Sequence, residues 1–424
     1  MKKLKIGICG WGTVATALYK CIEANSEYIQ QKKNLDIEVV VIGARRDNPD
    51  CDPKGTNVER DIYNVLNHDI DVLIELIGGI SDAKKLISAA MEKGIHVVTA
   101  NKAVIFSHGD ELRSIAANKK VHLLFEASVC AGTPIIDLLE NHLSGNKISS
   151  VKGMLNGTTN FILSEMEEGK SFDSSLDFAK RSGYAEADPS FDIDGIDAAH
   201  KIAILSSLVF NTPLPPSDFF IEGITNINSE VVQAAESIGF SIKHIASASR
   251  ENGNVFIRSN PALVKKDSYF SNLKNVRNGL EVETEMIGSL NLSGSGAGGN
   301  ATAAGVIADL IRISQEKPRH FISNKLPKLK EKSIQDMDFC FFFLLSCKKY
   351  SDTTKLLSKI QELDFDLENL TLRNFDSKHQ IYFTTSKINM IKQIELESTL
   401  KNLGFQITNI MSCLLYTSDA ADES

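Results

Sequence analysis

The chain has 424 residues, 42% hydrophobic and 24% charged, with a net charge of −8. That is a globular composition too long for one ordinary core, so two or three domains are expected. The acidic balance without a Lys/Arg-rich run argues against nucleic acid and anionic membranes as main partners, and the longest apolar run, Phe339 to Ser346, is far too short to span a bilayer.

The N-terminus, MKKLKIGICGWG, resembles an export signal only in its lysines. Its apolar stretch runs into a glycine turn, so it reads as a strand. The seven cysteines form no C-x-x-C pair, which predicts free thiols in a reducing cytoplasm. After the strand LKIGIC comes the helix TVATALYKCIEAN, and then IEVVVIGA, DVLIELIGG, HVVTA and VHLLFEA recur as short apolar strands with helical stretches between some of them. Such alternation predicts an α/β fold with a doubly wound, Rossmann-type parallel sheet. From about Ile148 the texture changes to a strand, a polar Asn-Gly-Thr-Thr turn and a helix, and further helices and strands follow. GSGAGGNATAAGVIADLIRI is a glycine loop opening a helix that returns the chain to the first domain. Beyond a basic, Pro-containing linker, residues 338–412 read strand, helix, strand, strand, helix, strand, the order of a ferredoxin-like unit. CLLYTSDAADES breaks this pattern and resembles adapter read-through, so 413–424 is set aside as a foreign tail.

Four short stretches carry chemistry. GWGTVA follows the first strand and opens a helix, which is the context a G-x-G-x-x-G/A fingerprint requires. Gly10 allows the tight turn, Gly12 lets backbone approach a pyrophosphate, and Thr13 and Val14 open the helix. The second strand ends in IGARRD, where Arg45 and Arg46 suit a 2′-phosphate better than a free ribose, favouring NADP with NAD possible. TANKAV puts Lys102 in the loop after a strand, at the ligand-binding edge of such a sheet, although most lysines are merely solvated. GYAEADPSFDIDGIDAAHK sets Glu186, Asp188, Asp192, Asp194 and Asp197 before Lys201. A calcium loop fails on spacing, because Lys201 would stand where a bidentate Glu is needed. Asp197 and Lys201 are four apart on a helix that turns apolar, so a paired lysine becomes a candidate acid/base, against the alternative of a surface ion pair.

Ala179 to Lys201 carries Ala, Gly-Tyr-Ala, Asp188-Pro189, Asp192-Ile193, Gly195, Asp197 and Lys201, and this spacing resembles the signature of homoserine dehydrogenases. DVLIELIGG, TANKA, FEASVCAGTPI, LNGTTNFIL and the late glycine loop resemble further blocks of that family, in order, over roughly residues 4–315. The tail resembles an ACT domain, but its first strand–helix turn, CKKYSDTTKLL, lacks the Pro-Gly that commonly shapes an effector site. The resemblance implies an NAD(P)-binding domain over 1–135 plus about 296–318, an α+β substrate-binding and dimerisation domain over 136–295, and an ACT-like domain over 335–412. It implies interconversion of L-homoserine and L-aspartate 4-semialdehyde, on the route to threonine and methionine, by a homo-oligomer (dimer or tetramer). Lys201 would exchange the proton, with Lys102 nearby lowering its pKa. Glu186 and Asp192 would hold the substrate ammonium, Asp197 would position substrate and lysine, and Gly78 and Gly298 would help enclose the cofactor. A monovalent cation such as sodium would sit on backbone groups of Glu126, Val129, Ala131 and Thr133. Two rivals stand beside this reading: a catalytically idle dinucleotide or amino-acid sensor, and a semialdehyde dehydrogenase acting through Cys130, for which no partner base is identifiable.

Overall fold

The computed structural model describes residues 1–214, 219–251, 253–318, 338–347, 358, 367–375 and 378–413. Two compact units emerge. Unit 1 is Met1–Val151, His200–Ser217 and Leu280–Leu329; unit 2 is Lys152–Ala199, Asp218–Gly279 and Lys330–Ser424.

Unit 1 is built on six parallel strands: β1 (Lys2–Cys9), β2 (Leu35–Gly43), β3 (Asn57–Glu59), β4 (Val72–Glu75), β5 (His96–Thr99) and β6 (Leu123–Leu124). Their order is β3-β2-β1-β4-β5-β6, which reverses direction between β1 and β4. That reversal is where doubly wound sheets leave a crevice at the carboxyl ends of their strands. β1 is buried from Leu4 to Cys9 apart from a half-covered Lys5, as expected of a strand covered on both faces. Helix α1 (Thr13–Lys33) covers it through Ala15, Leu18, Ile22 and Ile29, spaced by three, four and seven. Each such Leu or Ile contributes roughly 1.5–3 kcal/mol on burial. α1 continues two turns past Asn25, where the sequence suggested an end, and stops at Asn34, whose φ of 51° and N–H bond to the Gln30 carbonyl close it. Helices α2 (Ser81–Glu92) and α3 (Lys102–Lys119) follow β4 and β5, and α4 (Ile135–Asp137) follows the turn after β6.

Unit 2 contains α5 (Gly157–Glu167), α6 (Phe172–Arg181), the short α7 (Ser190–Ile193) and α9 (Ser229–Ser237). β7 (Ile148–Met154) and α8 (Ile196–Phe210) cross from one unit to the other along the chain, and β8 (Phe220–Ile221) pairs with β10. The long antiparallel pair β9 (Phe240–Glu251) and β10 (Asn254–Lys265) forms one wall of unit 2. β11 (Arg277–Thr284), β12 (Gly288–Ser295) and α10 (Gly299–Gln315) complete the central chain.

The C-terminal strands are β13 (Asp338–Cys347), β14 (Leu367–Phe375), β15 (Lys378–Thr385), β16 (Ile388–Asn389) and β17 (Gln406–Cys413), with a helix over Met390–Asn402. Their order β17-β13-β15-β14 is antiparallel throughout, the arrangement of a ferredoxin-like sheet. The expected helix TTKLLSKIQEL, apart from Ser358, and the tail 414–424 lie outside the described residues, while Cys413 closes β17 opposite Cys340. β17 also pairs with β10, Ala262 opposite Ser412. One face of this sheet therefore shares a core with the helices of unit 2. Phe342, Leu344 and Tyr382 pack in one cluster with Phe161, Ile162 and Leu163 of α5 and with Val231 and Ala235 of α9. The Tyr382 hydroxyl lies 2.6 Å from Ser237 Oγ. The other face has its own core, in which Phe343, Phe383 and Leu396 are fully buried.

This shared core predicts that Phe342→Ala destabilises unit 2 as a whole, by about 3–5 kcal/mol. Urea unfolding followed by near-UV circular dichroism would measure it, and a loss below about 1 kcal/mol would contradict a common core.

Candidate active site

Unit 1 holds a cleft of about 660 Å³, lined by Gly10, Gly12, Thr13, Arg45, Arg46 and Gly78, with Trp11, Asn48 and Asp82 among its other walls. Gly10 has a φ of 100°, and a Cβ there would meet the Leu76 carbonyl oxygen at 2.5 Å, so only glycine closes this turn onto β4. A Cβ at Gly12 would meet nothing within 4 Å, so that position faces open space. Gly12 caps α1 without a side chain, leaving the first amides of the helix facing outward as an anion-binding terminus. The cleft thus fits a dinucleotide pyrophosphate on structural grounds. Val14, in the first turn of α1, is half-buried beside the lining. Gly298, φ 105°, caps α10, and a Cβ on the next residue would touch Ala17 at 3.0 Å, so the late glycine loop abuts α1.

Arg45 and Arg46 are exposed. Arg45 Nη2 donates to Asp82 Oδ2 at 2.7 Å, an exposed pair worth about 0–1 kcal/mol that a phosphate can displace. Asn48, which the sequence motifs did not single out, donates from Nδ2 to the Trp11 carbonyl (2.8 Å) and Thr16 Oγ1 (2.9 Å), tying the loop after β2 to the glycine turn.

Lys102 opens α3 at the carboxyl end of β5, capped by Asn101, whose Oδ1 accepts the Val104 amide. The buried Glu75 at the end of β4 holds this corner. It accepts the Thr99 hydroxyl (2.6 Å) and the Ile77 and Gly78 amides (2.9 and 3.3 Å), while Asn101 Nδ2 donates to the Gly79 carbonyl at 2.6 Å. Burial raises the Glu75 pKa, opposed by these hydrogen bonds. Phe106, one turn after Lys102, stacks on His200 with ring centroids 3.8 Å apart. Seven residues further along both helices, Arg113 Nη2 donates to Ser207 Oγ at 2.8 Å. α3 and α8 therefore run side by side in the same direction, with Lys102 and Lys201 at the same end.

A separate group of candidate residues lies in unit 2. Asn156 caps α5, its Oδ1 accepting the Thr159 amide at 2.8 Å. Its Nδ2 donates to Asp192 Oδ1 (2.7 Å) and to Asp197 Oδ2 (2.9 Å). Thr158 Oγ1 lies 2.7 Å from the Tyr184 carbonyl and 3.0 Å from Asp192 Oδ2, its one hydrogen serving either. Asp192 and Asp197 are thus brought together. Glu186 is not in this network: it stands exposed in the loop, two residues past the Thr158 anchor at Tyr184. Asp188 accepts the Ser190 amide and hydroxyl, and Asp194 is exposed. Lys201 is half-buried on α8, four positions from Asp197 and on the same helix face. His244 buttresses the turn before α8. It is 3% exposed, its Nε2 lies 3.0 Å from the Glu222 carbonyl, and a Cβ at Gly195 (φ 80°) would strike it at 2.7 Å.

The third set, Glu126, Val129, Ala131 and Thr133, is buried in the turn after β6, where Cys130 adopts a φ of 53°. Glu126 accepts the Ile136 and Asp137 amides (2.9 and 2.6 Å), and burial pushes its pKa up to about 7. Thr133 Oγ1 has no hydrogen-bond partner among the described residues. This orphaned oxygen among buried carbonyls fits a hard cation held by oxygen alone. No group of three or more His, Cys, Asp or Glu among the described residues could hold a metal, and no described helix is long and apolar enough to cross a membrane.

Comparison with known proteins decides the family. A sequence model for homoserine dehydrogenase matches residues 134–311, and one for the homoserine dehydrogenase NAD-binding domain matches residues 10–126. The Pseudomonas aeruginosa homoserine dehydrogenase is 44% identical over 315 residues, covering 74% of this chain and 73% of that protein. The chain belongs to the homoserine dehydrogenase family. The Helicobacter pylori homoserine dehydrogenase is 34% identical over 415 residues, 94% of this chain and 97% of that one. The crystal structure of a homoserine dehydrogenase from Thiobacillus denitrificans superposes with a TM-score of 0.89 at 30% identity, over 97% of this chain and 98% of that one. A hyperthermophilic archaeal homoserine dehydrogenase in complex with NADPH matches 75% of this chain and 99% of its own, with a TM-score of 0.64 at 29% identity. As a homoserine dehydrogenase, the chain is an oxidoreductase with a nicotinamide-dinucleotide-binding domain.

Burial lowers the His244 pKa from 6.5 to about 4, outweighing the Glu222 carbonyl and Asp197, which favour the charged form. A histidine whose folded pKa is depressed contributes stability above its unfolded pKa that is lost as pH falls through the folded value. Melting temperature should therefore fall between pH 6.5 and about 4, and His244→Gln should flatten part of that fall. An unchanged pH dependence in the variant would show that His244 does not titrate there.

Proposed function

We propose that this chain catalyses the reversible NAD(P)-dependent oxidation of L-homoserine to L-aspartate 4-semialdehyde, in the cytoplasm and on the route to threonine and methionine. The observation that carries the reading is the carboxylate pair Asp192 and Asp197, held on one amide, with Asp197 at the start of the helix that bears Lys201. A small amino acid brings its own ammonium, and carboxylates at fixed positions recognise it.

In this proposal a bound dinucleotide supplies the hydride acceptor. Lys201 takes the hydroxyl proton as the substrate's C4 carbon is oxidised, and returns it in the reverse direction. Asp197 positions the substrate and Lys201, and Asp192 and Glu186 hold the ammonium. Lys102 sits near the reacting oxygen, at the end of α3 that runs with α8. Gly10, Gly12, Thr13, Val14, Gly78 and Gly298 shape the dinucleotide site. Arg45 and Arg46, exposed on the cleft, favour NADP. The same proposal places a monovalent cation such as sodium on the Glu126–Thr133 turn. The C-terminal sheet is proposed as an ACT-like module whose edge strand β14 is open to pairing with a second copy, supporting a homo-oligomer.

The direct test is NADP reduction with L-homoserine. Lys201→Ala should lower kcat by about two to four decades while NADPH binding, read by fluorescence, survives. Near-normal kcat in a folded variant would remove Lys201 from the proton path. Arg45→Ala combined with Arg46→Ala should raise KM for NADP by about tenfold or more and leave KM for NAD nearly unchanged. Equal losses for both would show that the arginines do not read a phosphate.

A further inference from the structure

Neither the sequence motifs nor the family comparison assigns a task to Asn156. We infer that it is the positioning residue that fixes the two substrate-facing carboxylates; this rests on the function proposed above.

Asp192 and Asp197 are like charges brought close together. Left to themselves they would repel and turn apart. Both hydrogens of the Asn156 amide are engaged, one on each carboxylate, and its oxygen accepts the Thr159 amide. Only this orientation of the side chain satisfies all three contacts, because carboxylates need donors and an amide N–H needs an acceptor. The residue is 5% exposed, so solvent cannot stand in for it.

The backbone holds Asn156 from both sides. The preceding Leu155 carbonyl accepts Asn278 Nδ2 at 3.0 Å. The following Gly157 lies so near β11's entry that a Cβ would meet the Val276 carbonyl oxygen at 2.9 Å. Asn156 is thus a rigid reference point from which the acidic loop is measured. Asp192 ends up on the short helix α7 and Asp197 in the first turn of α8, and the one amide of Asn156 reaches both.

Two roles overlap at this position, and substitutions separate them. Ser and Asp both serve as helix N-caps about as well as Asn, so each keeps the bond to the Thr159 amide. Ser lacks the paired amide donors, and Asp presents a third carboxylate in their place. Asn156→Ser and Asn156→Asp should therefore both fold. Asn156→Ser should lower kcat/KM for L-homoserine about 10- to 100-fold, and Asn156→Asp by more, with KM for NADP within about twofold of wild type. Asn156→Asp should also melt below Asn156→Ser, because it gathers three like charges. Unchanged kcat/KM for homoserine in Asn156→Ser would overturn the inference, leaving Asn156 as a helix cap only. Should the wild-type chain not oxidise homoserine, the proposed function fails, and the melting comparison alone then decides the clamp. Equal melting temperatures for the Ser and Asp variants would overturn it.

Discussion

Two carboxylates of like sign, the buried Asp197 and the half-buried Asp192, can share a site only if something supplies them with hydrogens. In this fold that something is the amide of Asn156 and the hydroxyl of Thr158, both at the N-terminus of α5. The placement serves several ends at once. A helix N-terminus favours negative charge, the cap bond to Thr159 fixes the amide, and the α5 body is buried along its length from Thr158 to Met166. Because α5 also packs against Phe342, Leu344 and Tyr382, the C-terminal sheet belongs to the core that holds these carboxylates in position. A disturbance of that sheet has a short mechanical route to the segment that carries Asp192 and Asp197.

Unit 1 obeys a different constraint. Several of its candidate site residues sit at the carboxyl ends of parallel strands: the glycine turn after β1, the arginines after β2, Gly78 after β4 and Lys102 after β5. The strands cannot move relative to one another, so the loops inherit fixed positions. Glu75 extends that rigidity into the loops themselves, since one buried carboxylate holds both the Gly78 turn and the strand leading to Lys102. Glycine is required at Gly10 for a similar reason, because backbone from the next strand occupies the space of a side chain.

Much of this was legible in the sequence, for physical reasons. Short apolar runs separated by amphipathic stretches can only be satisfied by a sheet covered on both faces, and the strand order follows the expected reversal. The glycine fingerprint and the acidic stretch before Lys201 are local patterns, so they could be read directly. Asn156 could not. Its partners lie 36 and 41 residues downstream, and an Asn-Gly-Thr run reads as an ordinary turn until the fold brings Asp192 and Asp197 to it. The last two turns of α1 were hidden for a related reason: NSEYIQQKK has almost no apolar period, and Ile29 alone anchors it to the core. The Phe-rich strand β13 was rightly read as a packed strand, but nothing local announces that one of its faces meets α5 and α9.

In the proposed function, the carboxylate of Asp192, held by Asn156 beside Asp197, recognises an ammonium on the substrate. This recognition is tested most directly by comparing L-homoserine with 4-hydroxybutyrate, which keeps the alcohol and the carboxylate but lacks the amine. Then kcat/KM for NADP reduction should fall by about a hundredfold or more with 4-hydroxybutyrate, because the carboxylates that face the ammonium lose their charge partner. Values within about threefold of each other would contradict it, and would mean that Asp192 and Asp197 serve the fold and not the substrate.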